Sequence, residues 1–142
     1  MEIVLKHARA SEQHYLEALD LAPQMAPTDL GPLHHQLGIF YHELGQLERA
    51  REHYEKSIQV DEQIGDRYGA GQTRSNMAVM YAGAAEREST ADLRRNLLRR
   101  AEAYAEASLR DFQHYQGRAA QNEVRATQLL DDIRQALGKL PS

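Results

Sequence analysis

The sequence predicts an all-α protein, and three observations carry that prediction. Apolar residues recur at alternating three- and four-residue spacing along nearly the whole chain, which sets them on one stripe of a helix. The β-branched alternation of strands is missing, with valine only at positions 4, 60, 79 and 124. A block of residues also recurs 40 positions further on, a period typical of stacked structural repeats.

Taken in order, Val4, Ala8, Ser11, Tyr15 and Ala18 define a first helix over residues 2–20, which Ala22-Pro23 ends. Thr28 and Asp29 can cap a second helix over 30–44, with Pro32 tolerated in its first turn. Gly45 reverses the chain into a third helix, where Leu47, Ala50, Tyr54, Ser57 and Ile58 share one side until Gly65 closes it. Asp66 caps a fourth helix over 67–86. In its early turns Gly69 and Gly71 each cost about 1 kcal/mol relative to alanine, which implies close helix packing. Ser89 with Asp92 resembles a capping box that opens a long fifth helix reaching Tyr115, and Gly117 breaks it. A sixth helix over 118–137 carries Ala126, Leu130, Ile133 and Leu137 on one stripe before Gly138 and Pro141.

Composition narrows the function classes. At 142 residues the chain suits one core better than two. The absence of cysteine removes disulfides, thiolate zinc sites, iron–sulfur clusters and cysteine nucleophiles together. No apolar run approaches the roughly 20 residues that cross a bilayer. The opening Met1-Glu2-Ile3-Val4-Leu5-Lys6-His7 has neither a basic leader nor an apolar signal core. No membrane partner and a cytoplasmic location are therefore expected. A net charge of −4 supplies no general basic excess for a phosphate backbone, so no nucleic-acid partner is expected either.

The repeat is specific in its large, small and aromatic positions. His34-His35-Gln36-Leu37-Gly38-Ile39-Phe40-Tyr41 is matched 40 residues later by Arg74-Ser75-Asn76-Met77-Ala78-Val79-Met80-Tyr81. Ala50, Tyr54, Ser57 and Ile58 are matched by Ala101, Ala105, Ser108 and Leu109, and partly by Ser11, Tyr15, Ala18 and Leu19. The second unit is longer by 11 residues, an insertion placed near 87–97. Through Leu37-Gly38, Tyr41, Ala50 and Tyr54 the chain resembles the tetratricopeptide repeat (TPR) family, in the 40-residue variety of Pins-type scaffolds, kinesin light chains and bacterial regulators. It departs from the pattern at His34 and Arg74, which stand in the tryptophan place, and at Ala105, which replaces an aromatic.

The resemblance implies antiparallel helix hairpins stacked as a short right-handed solenoid of about six helices. Within a single 1–142 domain it implies a partial repeat at 1–23, repeats at 29–66 and 67–116, and a capping helix at 118–138. Gly38 and Ala78 are expected to let paired helices approach, and Tyr41, Tyr54 and Tyr81 to fill space between neighbouring hairpins. The first helix lacks a partner. Either the chain is cut from a longer regulator or scaffold, or Ile3, Val4 and Leu5 dock on something such as a second copy, giving a homo-oligomer.

Candidate chemistry is sparse. The histidine pairs His7 with His14 and His35 with His42 lie two turns apart, and adjacent His34 and His35 point about 100° apart, so no metal site is expected. The basic run at 94–100 shares its helix face with Glu102 and Glu106, which describes a solvated surface better than a phosphate track. Ser89 and Thr90 have no nearby histidine and no nucleophile elbow appears, so neither an enzyme nor a cofactor is expected.

What the resemblance does imply is a non-enzymatic protein-interaction module with a peptide-binding groove. Its first helices would line a concave face, bringing His35, Gln36, Ile39 and His42 opposite Arg74, Ser75, Asn76 and Val79. Gln36 and Asn76 are repeat equivalents whose amides can hold a peptide backbone, or can instead hydrogen-bond between hairpins.

Overall fold

The computed structural model describes the chain from residue 2 to residue 142, with side chains from Lys6 onward; the side chains of Ile3, Val4 and Leu5 lie outside the described residues. Six α-helices follow one another: α1 (Glu2–Asp20), α2 (Pro27–Glu43), α3 (Leu47–Gln63), α4 (Arg67–Glu86), α5 (Ala91–Gln113) and α6 (Ala120–Gly138). One 3-10 turn, Ala22–Gln24, links the first two. No strand occurs among the described residues.

The helix ends show why the chain folds this way locally. Gly45 and Gly65 adopt φ of 75° and 77°, the left-handed conformation that glycine takes without strain. Gln46 N–H then donates to the Tyr41 carbonyl and Asp66 N–H to the Asp61 carbonyl, satisfying the last turns of α2 and α3 in the same way. Asp66 caps α4 by accepting from Gly69 N–H at 2.8 Å. The expected cap of α2 is corrected. The helix begins three residues earlier, because Ala26 is extended and Pro27 occupies the first helical position. Pro32 consequently falls in the second turn. The cap of α5 is Thr90 rather than Ser89, its hydroxyl accepting from Leu93 N–H at 3.3 Å. That helix stops at Gln113, short of Tyr115.

Packing is that of a TPR-like solenoid: α2 pairs extensively with α3, α4 with α5, and α3 and α4 join the two hairpins. The first helices α2 and α4 touch, as do α4 and α6, so these three share one face. A single apolar core runs through both hairpins, with Leu37, Ala50, Met77, Ala78, Ala101 and Ala105 fully buried. The extra length of the second hairpin forms helix rather than loop, since α4 and α5 have 20 and 23 residues against 17 in each of α2 and α3, nine more in all.

Gly38 is the point of closest approach. A Cβ there would lie 2.3 Å from the Tyr54 ring, so only glycine admits that ring between α2 and α3. The tyrosines are core residues, 1–6% exposed, and each packs within its own hairpin, while Tyr41 also reaches Glu12 of α1 and Tyr81 also faces Arg51 of α3. Tyr54 fills the Gly38 notch, Tyr81 stacks on Tyr104 at 5.8 Å, and Tyr41 stacks on His53 at 5.5 Å. A phenol ring is long enough to reach across its own hairpin wherever the facing residue is small.

Two glycine substitutions separate packing from propensity. Gly38→Ala gains about 1 kcal/mol of helix propensity but meets a buried ring that cannot retreat, so urea melts should show a net loss of about 1–2 kcal/mol. Gly83→Ala, inside α4 with nothing near its missing Cβ, should gain about 0.5–1 kcal/mol.

Candidate functional site

The face shared by α2, α4 and α6 holds a cavity of about 710 Å³. His35 and Gln36 from α2 meet Ser75, Asn76 and Val79 from α4, so five of the eight expected groove residues line it together. Ile39 is half-buried against the core and His42 lies one turn further along α2, and neither borders this cavity.

Arg74 is a correction. It turns to the neighbouring flank of α4, where it donates to Asp111 at 2.6 Å and Glu62 at 2.7 Å. Arg67 joins the same buried carboxylate at 3.3 Å. Asp111 is 4% exposed, so these charges offset its burial and clamp α4 to α3 and α5.

A directed hydrogen-bond chain fixes part of the groove. Asn76 Nδ2–H donates to His35 Nε2 at 3.1 Å, so Nδ1 carries the imidazole proton and donates to Thr73 Oγ1 at 2.6 Å. Ser57 Oγ–H, 3.5 Å from Thr73 Oγ1, donates to the Gly31 carbonyl at 2.9 Å. Of the two expected roles for the amides, Asn76 thus takes the hairpin-bridging one with its nitrogen and keeps its oxygen free of this bond. Gln36 is exposed and makes no protein hydrogen bond among the described residues. Ser75 Oγ–H donates at 2.5 Å to Ser108 Oγ, whose own proton goes to the Gly71 carbonyl at 2.8 Å.

The sequence missed the third wall. Asn122, Arg125 and Leu129 of α6 enter the same cavity at the three-then-four spacing of Gly69, Gln72 and Asn76 on α4. Tyr68 OH donates to Asn122 Oδ1 at 3.1 Å and so holds that wall in place. The signal was present as spacing within 118–137, masked by the stripe of core residues beside it. Asp61 and Asp66 were also missed as groove residues. Burial, and then the nearby Asp66 carboxylate, push the Asp61 carboxyl up to about 6.

The basic run at 94–100 is occupied internally. Arg94 donates to the Glu88 carbonyl, Arg95 to Asp92 and the Pro141 carbonyl, Arg99 to Glu102, and Arg100 lies over the Tyr81 ring. Among the described residues no group of three histidine or acidic side chains could hold a metal ion, and no helix is long and apolar enough to cross a membrane.

The tetratricopeptide-repeat family model matches residues 29–93, which span α2, α3, α4 and the start of α5. That segment, a little under half of the chain, is similar to a family whose repeats generally mediate protein–protein interaction. No curated protein and no solved structure matches the chain.

Acid titration distinguishes two buried groups of opposite sign. One Nδ1–H of the stacked pair His34 and His53 donates to the other Nδ1 at 3.0 Å. Burial first, then His53 and Lys56, lower His34 to about 4, so its stabilising neutral form is complete above about pH 6.5 and lost as pH falls toward 4. Asp61 works in the other direction, favouring the fold below about pH 4 and opposing it as pH rises through 6. Asp61→Asn should therefore be more stable than the parent at pH 7, by about 1–3 kcal/mol, and should lose stability more steeply on acidification to pH 4. Chemical denaturation at intervals across that range reads both slopes.

Proposed function

We propose that the chain is a peptide-capture module whose ligand lies along the α2, α4 and α6 face. The observation that carries the reading is the composition of that cavity: Val79, 49% exposed, lines it together with the unpartnered Gln36 amide and with Leu129. An exposed apolar residue flanked by amides suits a peptide, whose backbone needs donors and acceptors while its side chains need apolar contact. Asn76 Oδ1, Gln72 and Asn122 extend the same polar lining across two helices. The domain reading accompanies this one: repeats at 29–66 and 67–116 supply two walls, and α6 supplies the third as well as closing the array.

A second reading concerns α1, which touches α2 only lightly and leaves Leu16 and Leu21 at 42% and 55% exposure. A second copy of the chain, or another helix, would cover this surface. Light scattering across a concentration series tests it, with a strictly monomeric mass at all concentrations removing the self-association form.

For the groove, peptides selected from a random dodecapeptide display library provide the probe. Val79→Glu and Gln36→Ala alter exposed positions and should leave denaturant melts within about 0.5 kcal/mol of the parent. Each should weaken the selected peptides, Val79→Glu by about tenfold or more, equal to about 1.4 kcal/mol. Unchanged affinity in both variants, measured by fluorescence anisotropy, would place the binding surface elsewhere.

A further inference from the structure

At one end of the groove stands a carboxylate that neither the fold nor backbone recognition uses. Asp61 is 5% exposed, has no hydrogen-bond or ion-pair partner among the described residues, and lines the cavity between Gly31 and Gly69. Repeat symmetry makes it anomalous. Ser57 bonds the Gly31 carbonyl as Ser108 bonds that of Gly71, and four residues beyond each serine stand Asp61 and Phe112. Phe112 sets its ring against Gly71, whereas Asp61 sets a carboxylate against Gly31. Buried charges are ordinarily paired, and since no fully buried side-chain oxygen among the described residues lacks a partner, the unbonded Asp61 oxygens open onto the cavity, where a partner from outside can reach them.

A second carboxylate shares the space. A Cβ at Gly69 would lie 2.7 Å from Oδ2 of Asp61 and equally 2.7 Å from Oδ2 of Asp66, so the two oxygens are at most twice that distance apart. Asp66 uses its other oxygen, Oδ1, to cap α4. No third carboxylate or imidazole joins them into a metal-holding group among the described residues, and a divalent ion prefers a fuller oxygen shell. An alkylammonium or guanidinium group, with several N–H donors at short reach, matches two acceptor oxygens better. Arg125, the one arginine or lysine bordering the cavity, pairs with no carboxylate among the described residues.

We propose that Asp61 and Asp66 form a seat for the basic side chain, lysine or arginine, of a peptide bound in the groove. This rests on the peptide-capture reading above and specifies its partner as a segment with a cationic residue at one end of an amide-contacting, partly apolar stretch. Because Gly31 and Gly69 hold the Asp61 carboxylate in a partly dehydrated position before binding, the cation meets an acceptor already oriented.

The experiment uses the full chain and peptides selected from the same dodecapeptide library. The expected consensus contains one lysine or arginine, and replacing it by norleucine should weaken binding to the parent chain at least about tenfold. In Asp61→Asn, and in Asp66→Asn, which retains the capping oxygen, the same replacement should cost less than about twofold, the signature of a direct pair. Melts of each variant confirm that it is folded. Peptides that lose affinity on Val79→Glu yet share no basic residue, or whose norleucine penalty persists in both aspartate variants, would overturn the cation seat and leave the groove standing. Peptides indifferent to Val79→Glu, Gln36→Ala and both aspartate changes would overturn the groove and the seat together. Strong coupling of Asp61→Asn with Arg125→Gln in stability, without peptide, would show the carboxylate to be satisfied within the chain and would also overturn the seat.

Discussion

The distance at which α2 lies on α3, and α4 on α5, governs the rest of the molecule. Each pair is fixed by the same device: a serine hydroxyl on the second helix donates to the carbonyl of a glycine on the first, Ser57 to Gly31 and Ser108 to Gly71. Both serines are at most 1% exposed, and at Gly31 and Gly71 even a methyl group would press on the facing helix. The bond therefore sets axial register as well as separation. Two hairpins built on one register stack with α2, α4 and α6 on a common face, and the groove is the geometric result.

Much of this is legible in the residues. The 40-residue recurrence of Gly38 as Ala78 and of Tyr41 as Tyr81, together with Gly45, Gly65 and Asp66 at the boundaries, encodes both hairpins and their turns. Local chemistry decides these places: a left-handed turn favours glycine, and the start of α4 is favoured by an acceptor such as Asp66. Arg74 was not legible because helical period gives a face only to within about a third of a turn. Its neighbours Ser75 and Asn76 point into the groove, while Asp111 and Glu62 draw Arg74 to the adjoining flank. Asp61 was hidden for another reason. Its burial depends on glycines at positions 31 and 69, far along the chain, and no local pattern marks an acidic residue near a helix end as anything but solvent-facing.

The additional helical turns of the second hairpin have a structural consequence that an insertion in a loop would lack. They extend α4 and α5 past the length of α2 and α3, and Ala85 on the α4 extension and Leu98 just beyond that of α5, 3% and 6% exposed, adjoin the buried Ile133 of α6. A terminal helix in a stacked array has a neighbour on one side only, so its burial depends on how much surface the preceding hairpin offers. Arg134 of α6 also bonds Glu102 and Glu106 of α5, at 3.1 and 2.7 Å, but such exposed pairs contribute little beside the apolar contact. The longer hairpin thus turns α6 from a frayed end into a wall of the groove.

The amides that repeat symmetry makes equivalent are not equivalent in the folded chain, and the difference sets the chemical character of the groove. Asn76 commits its N–H to His35, whose proton is in turn committed to Thr73, so this part of α4 offers a carbonyl oxygen and withholds its donor. Burial lowers the His35 pKa, which keeps the imidazole neutral and the chain of bonds in one direction. With Arg74 turned away, the charged groups bordering the cavity are Asp61 and Asp66 against Arg125 alone. At the Asp61 and Asp66 end the charged groups are acceptors, while Gln36, Asn122 and Arg125 keep donors elsewhere along the cavity. A ligand that brings its own N–H groups, and above all a positive charge, recovers hydrogen bonds that water supplies poorly at a carboxylate only 5% exposed. The same arrangement opposes acidic segments, since a carboxylate entering beside Asp61 and Asp66 would meet two like charges without a cation between them. On the peptide-capture reading, selectivity would then come from the placement of Asp61 and Asp66 at one end of the cavity, and affinity from the apolar surface around Val79.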